Sequence, residues 1–149
     1  MGQDEDMKTE ECVCIAGKLR LLNRVVTSIY DDALRPTGMT ICQMTLLTVI
    51  GESGLTTPTE VSACLQVEKS TLSRNLNRLR KQGWLEMLSD AHGSGQRLKL
   101  TEEGQAMLEK GKPHWIVAQG KALRLLGDRG VKDLVALAEL VCSQQKNGL

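Results

Sequence analysis

The chain contains no phenylalanine, and its aromatic complement is one tyrosine and two tryptophans among 149 residues. Its interior must therefore be aliphatic, built from Leu, Val, Ile, Met and Ala. Leu, Met and Ala favour helix, so a mostly α protein is the first expectation. No run approaches the roughly 20 apolar residues needed to span a bilayer. The stretch from Met1 to Glu11 is polar and acidic and has neither the basic start nor the apolar run of a secretory signal. The expected location is the cytoplasm, with no membrane partner. Five cysteines are an odd number and no Cys-x-x-Cys occurs, which argues against a disulfide framework and against a zinc site. In a reducing compartment they are thiols by default. A phosphate-binding glycine loop, a nucleophile elbow and a paired-carboxylate motif are missing too, so neither an enzyme nor a cofactor is expected. Apolar residues make up 41% and charged residues 25%, the balance of an ordinary folded domain and not of a disordered chain.

A net charge of only +1 does not suggest a polyanion as partner, but the total hides an asymmetry. Between Lys69 and Lys99 stand Lys69, Arg74, Arg78, Arg80, Lys81, Arg97 and Lys99, against Glu86 and Asp90 alone. That segment carries +5, which leaves −4 for the rest of the chain. A basic patch on a neutral or acidic body is the footprint of one face that meets phosphates.

Hydrophobic periodicity sets the elements. Ile15, Leu19, Leu22, Val25, Val26 and Ile29 recur at spacings of three and four, giving a helix over about 12–34. Arg35-Pro36-Thr37-Gly38 stops it. A second helix spans about 41–50, with Thr40 as N-cap, and is apolar on most sides. Thr57-Pro58-Thr59-Glu60 places Thr at the cap, Pro at the first helical position and Glu three residues after the cap, opening a short helix to Cys64. A turn at Gln66-Val67-Glu68 leads to a helix over 69–82 with the seam Leu72, Leu76 and Leu79, and Gly83 ends it. The period then changes to two. Residues 84–89 and 96–100 read as strands about the polar, glycine-rich tip 90–95. A helix from Thr101 to about Leu126, with a disturbance at Pro113, a turn at 127–130, and a last helix from Val131 to about Gln144 complete the chain.

Two short helices joined by a tight turn, followed by a hairpin, form a winged helix-turn-helix. In that architecture the second helix enters the major groove and reads it with its polar face. Leu72, Leu76 and Leu79 would anchor it, while Lys69, Ser70, Thr71, Ser73, Arg74, Asn77 and Arg78 face DNA. Arg suits guanine, Asn suits adenine, and Ser or Thr suits bases or phosphates. Arg97 and Lys99 of the hairpin would reach the backbone or an adjacent minor groove. The plainer alternative, a solvated amphipathic helix, is weakened by the capped helix before it and the hairpin after it.

Several stretches together resemble the multiple-antibiotic-resistance regulator (MarR) family over about 12–142. They are Tyr30-Asp31-Asp32-Ala33-Leu34-Arg35-Pro36-Thr37-Gly38-Met39-Thr40, Lys69 through Leu79, Gly83-Trp84-Leu85-Glu86, Asp90, and Leu100-Thr101-Glu102-Glu103-Gly104. Cys12-Val13-Cys14 and Pro113-His114-Trp115 with Ala118-Gln119 resemble one branch of it. The resemblance implies a single domain over 1–149 in the mostly α, α+β winged-helix class. Residues 40–100 would form the winged helix-turn-helix, with the recognition helix at 69–82 and the wing at 84–100. Helices 12–34 and 101–146 would interlock in an obligate homodimer that straddles a pseudo-palindromic operator on double-stranded DNA. It implies repression, relieved by a small-molecule inducer held between the dimer helices and the winged domain, or by thiol oxidation. The wide apolar stripes of the terminal helices fit a partner surface independently.

The sequence departs from the family pattern at the wing. Met87 stands where relatives commonly carry Arg, and Asp90-Ala91-His92 replaces Asp-x-Arg on a wing one residue shorter. His92 is charged only where its pKa or the pH permits, which leaves Arg97 as the substitute contact. These changes motivate an alternative, a winged-helix interaction dimer that no longer binds DNA. Some relatives sense hydroperoxides through a Cys near the start of the first helix, a position that aligns with Ala16. Cys12 and Cys14 lie close by. They read as small buried hydrophobes by default, with redox sensing and metal binding as alternatives. Cys42, Cys64 and Cys142 sit in apolar patterns and are expected in the core. His92 and His114 have no acidic partner at ligand spacing, so no metal site is expected. Trp84 is expected at the wing base. Trp115 is expected at an interface or in the core, with a ligand cavity as the alternative, and Asp31-Asp32 is expected to be solvated.

Overall fold

A computed structural model describes residues 14–89 and 95–146. Helix α1 (Ile15–Leu34) begins at Cys14, whose Sγ accepts the Gly17 N–H at 3.4 Å. A single turn of tighter helix at Arg35–Thr37 follows, set up by Pro36, and Gly38 reverses the chain at φ 79°. Buried Thr37 braces this corner by donating to the Leu34 carbonyl at 2.6 Å and accepting from the Met39 N–H at 3.2 Å.

Helix α2 (Ile41–Glu52) opens with a complete capping box between Thr40 and Gln43. It has almost no polar side: Met44, Leu46, Leu47, Val49 and Ile50 are all buried, so it forms the centre of the core. Helix α3 (Pro58–Leu65) opens as its sequence requires, with Thr57 and Glu60 capping each other and Pro58 in the first turn. Glu60 accepts from the backbone N–H of both Thr56 and Thr57 at 3.0 Å. These bonds hold its carboxyl below the usual carboxylate range. Gln66 ends α3 at φ 51°, a left-handed position held by a non-glycine residue, and its backbone N–H reaches back to Ser62.

Helix α4 (Lys69–Lys81) buries Leu72, Leu76 and Leu79 and ends on Gly83 at φ 79°, with the Trp84 N–H returning to the Leu79 carbonyl. Strands β1 (Leu85–Ser89) and β2 (Gln96–Leu100) pair antiparallel, with Leu85 opposite Leu100 and Met87 opposite Leu98. Trp84, Leu85 and Leu98 close the base of this hairpin against the core. The Leu98 N–H donates to the Thr56 carbonyl at 2.6 Å, which ties the hairpin to the segment before α3.

Helix α5 (Glu102–Lys146) is bent at Gly127, whose φ 67° and ψ 169° are not helical. The expected turn at 127–130 is therefore a kink. The backbone stays helical through Pro113, where the missing N–H forfeits one hydrogen bond without breaking the helix. Its N-terminus locks onto the wing base. Thr101 Oγ1 donates to the Gly83 carbonyl at 2.6 Å and accepts from the Gly104 N–H at 3.0 Å, while the Thr101 N–H reaches the Trp84 carbonyl. Gly104 passes so close to the Trp84 carbonyl that a Cβ there would lie 2.0 Å from its oxygen.

Several expected environments are corrected. Asp31 is half-buried, and its Oδ1 accepts the Ile41 N–H at 2.7 Å, binding the end of α1 to the positive end of α2. Its neighbour Asp32 is exposed and pairs with Arg35. Cys42, Cys64 and Cys142 are exposed, not core, and Cys14 is an exposed cap and not a buried hydrophobe. Cys42 and Cys64 lie beside the buried residues of their helices, whereas the apolar residues around Cys142 are themselves exposed. Cys42 rests against Asn75 at 3.6 Å, and this shelter pushes its thiol pKa up, with Arg78 opposing and Asp31 adding to the rise.

Candidate nucleic-acid interface

Because Leu72, Leu76 and Leu79 fix one side of α4 against the core, the opposite side is determined by helical geometry alone. Ser70, Arg74, Asn77 and Lys81 recur there at spacings of four, three and four. Ser70, Arg74 and Lys81 are exposed and Asn77 is half-exposed. Thr71 and Arg78 flank this row on one side, and the Arg74 guanidinium reaches back to Thr71 Oγ1 at 3.5 Å. On the other side, Lys69 and Ser73 turn towards the hairpin. They line a cleft of about 160 Å³ with Pro58, Thr59, Met87 and Gln96. The sequence places seven α4 residues in one group; the structure divides them into an outward row, the flanking Thr71 and Arg78, and a wing-facing pair. Lys81 was missed, although it is seven residues beyond Arg74 and so two turns along the same face.

Arg97 and Lys99 lie on the exposed side of β2, on either side of buried Leu98. Arg97 is close enough to Glu60 to contribute to the lowering of that carboxyl's pKa. Leu88, opposite Arg97 in the register, is also exposed, so this side of the hairpin presents an apolar residue between charges. His92, Asp90 and Cys12 lie outside the described residues.

The electrostatics of the surface are uneven. Elsewhere the ion pairs follow ordinary neighbours: Arg35 with Asp32, Arg129 with Asp133, and Lys112 with both Glu52 and Glu109. Among the described residues, none of Lys69, Arg74, Arg78, Arg80, Lys81, Arg97 and Lys99 forms an ion pair. An arginine without a carboxylate keeps its planar fork of donors available for a phosphate or a guanine edge.

Two further features flank this face. Between α2 and α5 lies a cavity of about 450 Å³ lined by Met44, Thr45, Thr48, Val49, Glu52, Lys112, Trp115 and Ile116. Trp115 is thus 37% exposed on a cavity wall, and not in the core. Its ring centroid is 6.3 Å from that of Tyr30, whose hydroxyl donates to Gln119 and whose partial burial raises its pKa. The second feature is apolar. Among the described residues, every exposed large hydrophobic except Leu88 lies on α1 or α5. No group of three or more His, Cys, Asp or Glu side chains among the described residues is placed to hold a metal ion. Among those residues no helix is long and apolar enough to cross a membrane.

Comparison with known proteins bears on what such a face is for. A model of the MarR family matches residues 37–93, from the corner before α2 to beyond β1. The multiple antibiotic resistance protein MarR of Salmonella typhimurium is 30% identical over 101 residues, which cover 67% of this chain and 70% of that protein. Among solved structures, the M. tuberculosis transcriptional regulator MOSR in complex with DNA is similar at 32% identity and a TM-score of 0.77. That match covers 92% of this chain and 100% of the other. A point mutant of MarR from E. coli complexed with operator DNA is similar at 25% identity and a TM-score of 0.76, over 88% of this chain and 95% of that one.

Proposed function

The chain belongs to the MarR family of DNA-binding, winged-helix transcription regulators, and from that premise we propose that it is a homodimeric repressor whose α4 reads a pseudo-palindromic operator. Arg74 is assigned to a guanine edge, Asn77 to an adenine edge, and Ser70 and Thr71 to bases or phosphates at the helix N-terminal end. Lys69, Ser73 and Arg78 contact the phosphate backbone. Arg97 and Lys99, with His92, follow the backbone or the adjacent minor groove in place of the Arg that relatives commonly carry at the position of Met87.

The observation that carries this reading is the unpaired basic face of α4 and β2. Seven lysines and arginines concentrate on these two elements with no carboxylate paired to any of them among the described residues, and similar solved structures include two on DNA. The apolar stripes of α1 and α5 supply the surface for a second copy, which would bring two α4 helices to successive half-sites. Release is assigned to a small molecule in the cavity between α2 and α5, or to oxidation of Cys12 and Cys14. In the second route an oxidised Cys14 would lose its role as cap of α1.

The test is fluorescence anisotropy on the intergenic DNA beside the chain's own gene, across a salt series, reduced and then after mild peroxide. Tight binding is expected, with a slope of log affinity against log salt of about −0.9 per phosphate contacted. Loss of binding on oxidation that a Cys14→Ser variant abolishes assigns release to the thiols. Binding that ignores peroxide assigns it to the cavity. Absence of specific binding in both states would overturn the repressor reading in favour of an interaction dimer.

A further inference from the structure

The cavity between α2 and α5 has a polar lining of one kind. Thr45 Oγ1 donates to the Ile41 carbonyl at 2.8 Å, and Thr48 Oγ1 donates to the Met44 carbonyl at 2.9 Å. Each hydroxyl proton is therefore used one turn back along α2, and what remains for the cavity is a lone pair. Among the described residues Lys112 is the only cation on the wall, and its Nζ is already held at 2.7 Å by Glu52 and at 2.7 Å by Glu109. Three charges thus meet at the mouth with a net of −1. Glu52 uses Oε1 for Lys112, no hydrogen bond engages its second oxygen among the described residues, and its side chain is 44% exposed. The rest of the wall is apolar or aromatic: Met44, Val49, Ile116 and Trp115.

We propose that this cavity takes a cationic amphiphile, an ammonium or guanidinium group on an apolar body, and not an organic anion. This deepens the ligand-release reading above and rests on it for consequence, though not for binding. The cation pairs with the free side of Glu52 and with the threonine lone pairs, while the apolar body packs on Trp115, Met44 and Ile116. A cation beside an indole face is favoured further by the ring quadrupole. An anion would meet Glu52, the nearby Glu109 and two acceptor oxygens, against the single N–H that Lys112 keeps after its bonds to both glutamates. A volume of about 450 Å³ lies within the range of sites for drug-sized molecules.

The experiment is calorimetric titration of the full chain, without DNA, with three probes that share one apolar body: naphthylmethylammonium, naphthylmethanol and naphthoate. The ammonium is expected to bind about fivefold tighter than the alcohol, with the carboxylate weakest. Glu52→Gln should remove the ammonium's advantage and leave the alcohol unchanged. Lys112→Met should strengthen the ammonium, a direction that mere damage to the fold would not give. Tightest binding by naphthoate, a ranking indifferent to Glu52→Gln, or no binding by any probe would overturn the proposal. The same ammonium added to a protein–operator complex tests release separately. Binding without release would leave the cavity assignment standing and sink the release reading.

Discussion

Arg74 concentrates the proposed reading of DNA in one side chain. It stands at the middle of the outward row, two turns before Lys81 and one turn after Ser70, and its guanidinium has no carboxylate among the described residues. Arg74→Ala is expected to cost about 1–3 kcal/mol of operator binding and to flatten the preference at one base pair. Its thermal midpoint and oligomeric state should stay as in the parent. Lys81→Ala should instead weaken all DNA sequences alike and lower the salt slope by about 1. Equal affinity of Arg74→Ala and parent for the operator would remove α4 from the recognition role.

Glu60 gives a pH signature at the same scale. Its carboxyl is held below the usual carboxylate range, first by the Thr56 N–H, then by the Thr57 N–H and the Thr57 side chain, with Arg97 helping. A depressed folded-state pKa means that the stabilisation is present above the unfolded-state value and is lost as pH falls through the folded one. The stability difference between parent and Glu60→Gln should therefore be constant near neutrality and shrink on acidification through and below the usual carboxylate range. A difference unchanged down to the acid transition would show that the charge contributes nothing. This capping box was legible in Thr57-Pro58-Thr59-Glu60 because every partner lies within four residues. Asp31 was not legible as the acceptor of the Ile41 N–H, because that role exists only once the corner at 35–40 has folded back and brought the two together, ten residues apart in sequence.

At the scale of elements, the hairpin, α4 and α5 meet at one crowded point. Thr101 bonds to the carbonyl of Gly83 and to the N–H of Gly104, and Gly104 lies against the Trp84 backbone. A methyl at 104 would push α5 away from the wing base, because the obstructing atom is a backbone carbonyl that cannot rotate aside. Gly104→Ala should destabilise by about 1–3 kcal/mol or more, seen as a lower urea midpoint. A midpoint equal to the parent's would show that α5 can shift without cost. Much of this region was readable in sequence. Residues 57–60 announce α3, Leu72, Leu76 and Leu79 announce α4, and Gly83 with the change of period announces the hairpin, since each is a local signal. What could not be read was which side of a helix each cysteine occupies. Cys42, Cys64 and Cys142 lie one residue off a buried or apolar seam, and a one-residue step turns a helical side chain by more than a quarter circle. The cavity at α2 and α5 was equally hidden, because Glu52 and Lys112 come together only when distant segments pack.

For the molecule as a whole, the division between what is buried and what is left exposed decides the argument. The core is closed by α2, α3, α4, the hairpin and the start of α5, with Leu34, Leu47, Val61, Leu79 and Leu108 fully enclosed. Helix α1 and the rest of α5 are different. Leu19, Leu22, Val26, Leu126, Leu134 and Leu137 line an apolar groove of about 440 Å³ between them, and Leu137 remains 59% exposed. Exposed apolar stripes of this size mark interaction surfaces, and the homodimer proposed above would cover this one with a second copy. If so, folding and association are one event, and the thermal midpoint should rise with protein concentration. Leu137→Arg places a charge where the single chain has open space, so it should cost little within one chain and much between two. The expected result in sedimentation is a shift from dimer to monomer. On DNA the variant should lose far more affinity for the intact operator than for an isolated half-site, because the second half-site no longer binds as part of the same molecule. A parent chain that sediments as a monomer at micromolar concentration, with a midpoint indifferent to concentration, would leave these helices without a partner and the paired-half-site geometry without support.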